Sequence, residues 1–244
     1  MENSSNISLP RRKCMKCRVD SAILLSPCYG VTGLCDHKFC QSCFRKENIE
    51  LAYSLTHTFK CPCCHSPFYD NMHSIDEAIL IGEASTLYAF ILPQFVFPSL
   101  VGDVTEAHEI NKLATEKLEE ALQLNSTNFN CLYTLFSICS NSQKFFLEHK
   151  VENSYSEFYR LRIYDLAFKL LDHPAIPESH ESVRGACNEQ LAGIFTVHLN
   201  HSAALHYSKL AYEHYLRSSD HTYLLSSKAF YLKMRTEFAQ QPPR

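Results

Sequence analysis

Eight potential metal ligands fall within the first 64 residues, as Cys14, Cys17, Cys35, His37, Cys40, Cys43, Cys61 and Cys64, spaced C-x2-C-x17-C-x-H-x2-C-x2-C-x17-C-x2-C. Two residues between paired cysteines let both sulfurs turn onto one ion, about 2.3 Å from it in a tetrahedral zinc shell. Four such pairs suffice for two closed sites. A module this short sits close to the limit of what a hydrophobic core alone can stabilise. Structural zinc contributes on the order of 10–16 kcal/mol per site in small fingers, so metal binding and folding are expected to be one event.

The order of ligand types, three cysteines, one histidine, then four cysteines, resembles the RING finger. A LIM domain would need a ligand three residues after Cys43, where the chain has Lys46, and a PHD finger would put histidine fifth. The RING resemblance implies an interleaved arrangement with two Zn2+ ions: Cys14, Cys17, Cys40 and Cys43 on the first, and Cys35, His37, Cys61 and Cys64 on the second. It implies a RING-type E3 ubiquitin-protein ligase, a transferase without covalent intermediate. Such a protein docks a charged ubiquitin-conjugating enzyme and positions its ubiquitin thioester for attack. No catalytic nucleophile or base is therefore expected in this chain.

By the same resemblance, conjugating-enzyme docking falls on Met15, Lys16, Glu47, Pro62 and His65. Pro62 matches the family's docking proline. Lys16 and Glu47 stand where relatives carry apolar or aromatic groups, and the chain has no Trp. His65 occupies the place of the family's linchpin arginine, and a histidine there can donate a hydrogen bond but lacks arginine's permanent charge. These departures bear on activity and leave the fold expectation intact. The alternative reading is a noncatalytic zinc-binding scaffold or assembly subunit. Cys28 and Cys63 read as ordinary thiols, since neither keeps the paired spacing as well as its neighbours do.

Nine of the twelve cysteines precede residue 65. Met1 to Pro10 lacks the apolar core of a secretory leader, so reduced thiols and an intracellular location, cytoplasmic or nuclear, are expected. Residues 1–70 carry nine Lys/Arg against six Asp/Glu, and seven zinc-bound thiolates cancel that excess. No basic field remains for nucleic acid.

Between Glu83 and Asp103 the chain is uncharged for nineteen residues, close to a membrane span in length. Pro93 and Pro98 interrupt the run, and Ser85, Thr86, Gln94 and Ser99 dilute it. The expectation is a helix from about Asp76 to Leu92, then an extended buried connection, with no membrane partner. A membrane-held protein is the competing reading of residues 84 to 102.

From residue 104 the apolar spacing is helical. Ala107, Ile110, Ala114, Leu118 and Ala121 form one stripe, followed by Phe129, Leu132, Phe136 and Cys139, with Asn125 to Asn128 as cap and turn. Tyr159, Ile163, Ala167 and Leu170 form the next, then Val183, Cys187, Leu191 and Ile194, then Ala204, Tyr207 and Ala211, and finally Leu225, Ala229 and Leu232. Ala114, Leu118 and Ala121 resemble the close-packed second helix of tetratricopeptide repeats, and Leu191, Ala192, Phe195, Ala204 and Ala211 resemble a later repeat. The alanine spacing, however, exceeds that family's period.

The predicted architecture is a small zinc-stabilised α+β RING domain followed by an all-α helical-hairpin (TPR-like) domain. Its boundaries are a tail at 1–13, the zinc finger at 14–68, a connecting helix and apolar linker at 69–103, the helical domain at 104–238 and a tail at 239–244. An unknown protein target would bind the helical domain, with ubiquitin and the conjugating enzyme at the finger. His198, His201, His206 and His214 read as surface or packing residues rather than ligands.

Overall fold

A computed structural model describes residues 12–21, 23–25, 37–48, 59–65, 67–69, 74–96, 104–148, 153–174, 180–218 and 222–239. The chain divides into two compact units, Met1–Tyr155 and Ser156–Arg244. The division falls within the stretch assigned to the helical domain, and the first three long helices belong with the cysteine-rich segment.

The first unit begins with two small antiparallel hairpins. β1 (Arg12–Lys13) pairs with β2 (Asp20–Ser21), and β3 (Phe59–Lys60) pairs with β4 (Pro67–Tyr69). Each hairpin carries a C-x2-C knuckle in its turn. Between them in sequence lies α1 (Gln41–Asn48), preceded by a single bridge joining Leu25 to Phe39. The spacing of Phe44, Ile49, Leu51, Ala52 and Leu55 predicts a short amphipathic helix between Cys43 and Cys61. It starts ahead of Cys43 instead, and Ile49, Leu51, Ala52 and Leu55 lie outside the described residues.

An aromatic triad fills the core of this module. Phe39 stacks on Phe44 at 5.7 Å, and Phe44 meets Phe59 edge-on at 5.8 Å. Buried Asn48 ties the end of α1 to β3: its amide donates to the carbonyls of Phe44 and Lys60, both at 2.9 Å, and accepts from the Lys60 N–H at 2.6 Å. A side chain that satisfies both the donor and the acceptor of one backbone residue fixes strand to helix without slack.

α2 (Ile75–Val96) is capped by Ser74, whose hydroxyl accepts from the Glu77 N–H at 3.1 Å. It extends beyond the expected end at Leu92, through Pro93. A proline in the last turn removes one backbone donor and need not end the helix at the residue before it. Ala78, Ile79, Ile81, Ala84, Leu87, Tyr88 and Ile91 are all buried, which a one-sided amphipathic helix cannot arrange. One side of α2 packs on α3 (Val104–Leu124), while the other receives the cysteine module. There Thr86 donates to the Leu24 carbonyl, and Leu25 approaches so closely that a Cβ on Gly82 would lie 3.2 Å from it.

The apolar density that resembles a membrane span is thus the signature of a helix covered on two sides. Among the described residues, no helix is long and apolar enough to cross a membrane.

α3 buries Ala107, Ile110, Ala114, Leu118 and Ala121, as its spacing predicts. α4 (Phe129–Glu148) buries Leu132, Phe136 and Cys139, with Asn128 capping it by accepting from the Cys131 N–H at 2.9 Å. The buried carboxylate of Glu77 accepts from the side-chain amides of both Asn125 and Asn128, locking the α3–α4 turn to the start of α2.

The second unit holds most of α5 (Asn153–Leu171), with α6 (Glu181–Val197), α7 (His201–Arg217) and α8 (Leu224–Ala239). Tyr159, Ile163, Ala167, Leu170, Val183, Cys187, Leu191, Ile194, Ala204 and Ala211 are buried as expected. α6 and α7 form a tight hairpin, with the Tyr215 ring lying against Gly185. Asn200 caps α7 by accepting from the Ala203 N–H at 3.2 Å.

The α8 expectation needs correction. The helix is present, but its buried positions are Ser227 and Met234, while Leu225, Ala229 and Leu232 are exposed. Tyr231 stacks toward Tyr212 of α7, and Thr196 of α6 donates to the Met234 sulfur. These contacts turn the leucine stripe outward. Period alone marks a stripe and does not say which of two apolar stripes faces the neighbour.

Candidate metal centres

The two hairpin turns deliver their cysteines with the same backbone geometry. In the first, the Arg18 N–H donates to the Cys14 carbonyl at 2.9 Å, and in the second the His65 N–H donates to the Cys61 carbonyl at 2.9 Å. The closing residue of each turn takes a left-handed backbone, Arg18 at φ 63° and His65 at φ 59°. Neither is glycine, so each carries a cost of roughly 1–2 kcal/mol that the surrounding site must offset.

Cys14 and Cys17 of the first knuckle meet Cys40 and Cys43, which flank the start of α1. Cys14 Sγ lies 3.8 Å from Cys43 Sγ, and Cys17 Sγ lies 3.8 Å from Cys40 Sγ. Sulfurs at about 2.3 Å from a tetrahedral ion stand about 3.8 Å apart, so this set fits zinc directly.

The second group joins His37, Cys61 and Cys64, with His37 Nδ1 3.7 Å from Cys61 Sγ. That separation matches a shell built from one nitrogen at about 2.0 Å and sulfur at about 2.3 Å. Cys35, the remaining ligand implied by the resemblance, lies outside the described residues, as does Cys28. Cys63 stays out of the cluster, because its place in the turn sends its N–H to Cys61 Sγ at 3.4 Å. Among the described residues no other group of His, Cys, Asp or Glu gathers this way. His214 instead pairs with Glu181 at 2.7 Å.

The electrostatics of the four-cysteine set favour a cation. Burial pushes the Cys14 thiol up, yet backbone N–H groups of Cys17, Cys40 and Lys16 aimed at its sulfur outweigh burial and hold it at about 6. Burial raises Cys40 and Cys43, and their crowded thiol neighbours add to the rise at Cys43. Cys14 is therefore readily ionised, while Cys40 and Cys43 resist ionising without a positive charge among them. A divalent ion supplies that charge, and thiolate-rich tetrahedral donors are the chemistry of structural zinc.

The remaining predicted site residues surround these centres. Met15 is exposed and its N–H donates to the Lys38 carbonyl at 2.9 Å, while Lys16 is exposed beside it. Glu47 on α1 and His65 meet at 2.7 Å, carboxylate oxygen to Nδ1, bringing together two positions that sequence spacing treats separately. Pro62 is buried, so its ring supports the second knuckle and presents no open face for docking.

Sequence reasoning missed Asn48, Glu77 and Glu83. Glu83 on α2 accepts from Gln41 of α1 and pairs with Lys117 of α3, and Arg45 of α1 pairs with Asp76. A charged residue in the middle of an apolar helix was the available signal. Compared with protein-family models, curated proteins and solved structures, the chain matches none.

Proposed function

We propose that the protein is a RING-type E3 ubiquitin-protein ligase, with two zinc ions holding the docking face and the C-terminal helices recruiting a protein target. The observation that carries this reading is the interleaving. The first ligand pair shares its cluster with the third pair, and the histidine shares its cluster with the last. A sequential pair of fingers would group Cys14 and Cys17 with His37, so the alternation supports the cross-braced arrangement of that family. In the ligase reading, Met15, Lys16 and the Glu47–His65 pair meet the conjugating enzyme, and catalysis is positioning.

Two observations favour the scaffold alternative. Pro62 is buried, and His65 is engaged by Glu47, which competes with any contact to ubiquitin. The test is autoubiquitination by the zinc-loaded full chain against a panel of conjugating enzymes. The ligase reading expects product with at least one enzyme, and a rate increase in Glu47→Gln combined with His65→Arg, which frees a permanent cation. A zinc-loaded, folded protein silent with every enzyme, in parent and variant alike, establishes the scaffold reading.

A further inference from the structure

The last helix carries a second, outward seam. Leu225, Ala229, Leu232, Thr236 and Ala239 recur at alternating steps of four and three, and all five are exposed, Leu225 at 79% and Leu232 at 40%. Alternating four-three spacing is the a/d pattern of helix pairing, with Leu225, Leu232 and Ala239 at d and Ala229 and Thr236 at a. On the same register Lys228 and Arg235 fall at g and Lys233 at e. Lys233 reaches Glu237 at 3.8 Å within the helix. Among the described residues no carboxylate pairs with Lys228 or Arg235. A solvent-facing helix surface is normally polar. This one instead has an apolar seam bordered by cations.

We propose that the outward face of α8 docks an acidic amphipathic helix of a partner protein, through its Leu225–Ala229–Leu232 seam and the flanking Lys228, Lys233 and Arg235. The charges choose the occupant. A second copy is disfavoured in both orientations, since a parallel pair sets Lys228 against Lys233 of its mate and an antiparallel pair sets Lys228 against Arg235. Like charges at these positions select against self-pairing and for a helix bearing Glu or Asp at its own e and g positions. Alanine and threonine at three of the five seam positions let a partner backbone approach closely, whereas a lipid surface is better bound by a continuous bulky stripe. The seam gives the recruiting arm a partner class and rests on the proposed function for that role alone. Binding itself requires neither ubiquitin nor a conjugating enzyme.

The experiment titrates the full chain into two labelled synthetic helical peptides, each with Leu at a and d. One carries Glu at e and g, and the other Lys. The acidic peptide is expected to bind saturably, more weakly as salt rises, and the basic peptide at least tenfold less tightly. Leu225→Ser with Leu232→Ser should weaken acidic-peptide binding at least tenfold, with circular dichroism unchanged because both side chains are exposed. Lys228→Glu with Arg235→Glu should reverse the preference toward the basic peptide. Equal binding of the two peptides overturns the proposal, as does a charge reversal that leaves the preference unchanged. It is also overturned by dimerisation of the full chain that Leu232→Ser abolishes, or by leucine-dependent binding to phosphatidylserine vesicles without peptide binding. The ligase reading stands or falls on its own assay, so the two failures are distinct.

Discussion

Helix α6 contains its own control for the packing argument, because it carries two glycines in opposite environments. A Cβ built on Gly185 would lie 2.8 Å from two carbons of the Tyr215 ring and 3.0 Å from a third, whereas one on Gly193 meets nothing within 4 Å. In a helix interior, glycine costs about 1 kcal/mol relative to alanine, so Gly193→Ala should stabilise by about that amount. Gly185→Ala receives the same propensity gain, but carbons pack at about 3.5–4.0 Å and the ring must retreat by several tenths of an ångström. Tyr215 is buried, and its hydroxyl donates to Glu189 at 3.0 Å, so retreat strains or breaks that bond. Overpacking costs typically 1–3 kcal/mol and the lost bond about 1 kcal/mol, giving a net loss of roughly 1–3 kcal/mol. The two alanine variants should therefore differ by about 2–4 kcal/mol. Urea unfolding followed by circular dichroism, with hydrogen exchange of α6 and α7 amides to localise the change, measures the difference. Equal stability of the two variants would refute the claim that Gly185 is required by the close approach of α7.

Asn48→Leu should destabilise the cysteine module by about 2–4 kcal/mol, because it strips partners from both the N–H and the carbonyl of Lys60; a loss under about 0.5 kcal/mol in chemical unfolding would show the staple to be dispensable. Metal analysis should find two zinc ions per chain. Cys17→Ser should impair the four-cysteine site first, and strong chelation should lower hydrogen-exchange protection in α2 as well as α1; protection unchanged in α2 would show that the helix does not sense the metal sites. Burial holds His108 below its ordinary 6.5, with Glu109 opposing and Lys112 assisting, while its ring stacks on Tyr155 at 3.9 Å. The unfolded chain thus takes up a proton more readily than the folded one, so this contribution is intact above about pH 6.5 and is lost as pH falls through the lower folded value. His108→Phe keeps the stacking and should flatten the fall in thermal midpoint below pH 6.5 relative to the parent; parallel curves would contradict the assignment.

Much of the metal site is legible in the sequence because a C-x2-C knuckle is a local device: two residues of turn place two sulfurs, whatever surrounds them. The interleaving of Cys14 and Cys17 with Cys40 and Cys43 is long-range, and it is reached through the order of ligand types rather than through any spacing. Ala107 to Ala121 is legible too, since charged residues on the other faces of α3 leave one choice for the core. α2 is less so. Its hydropathy reports burial without saying what buries it, and the competing reading of a membrane span arises from the same residues that pack against Leu25 and α3. α8 shows the complementary limit, because a helix with apolar side chains on two faces has a readable period and an unreadable direction. Asn48, Glu77 and Glu83 have roles that the sequence does not reveal, for a different reason. Each is polar, and only the tertiary fold reveals that its partners are backbone groups, amides or cations brought from other elements.

Glu83 also explains why the cysteine module and the helices after it form one unit. A zinc finger that merely preceded a helical array would need no buried carboxylate on the first helix, yet Glu83 joins α1, α2 and α3 through Gln41 and Lys117. Burying a carboxylate is costly unless it is paired and hydrogen-bonded, and removing either partner leaves that cost uncompensated. The position of α1 is set at one end by Cys40 and Cys43 and along its exposed side by Gln41 and Arg45, which reach Glu83 and Asp76 of α2. Displacement of α1 would therefore withdraw Gln41 from Glu83 and Arg45 from Asp76 together, leaving Glu83 with Lys117 alone, and the disturbance would pass to α2 by direct contact. The candidate metal centre and the helical core of the first unit in this way share the same short helix, so neither is expected to reach full stability without the other.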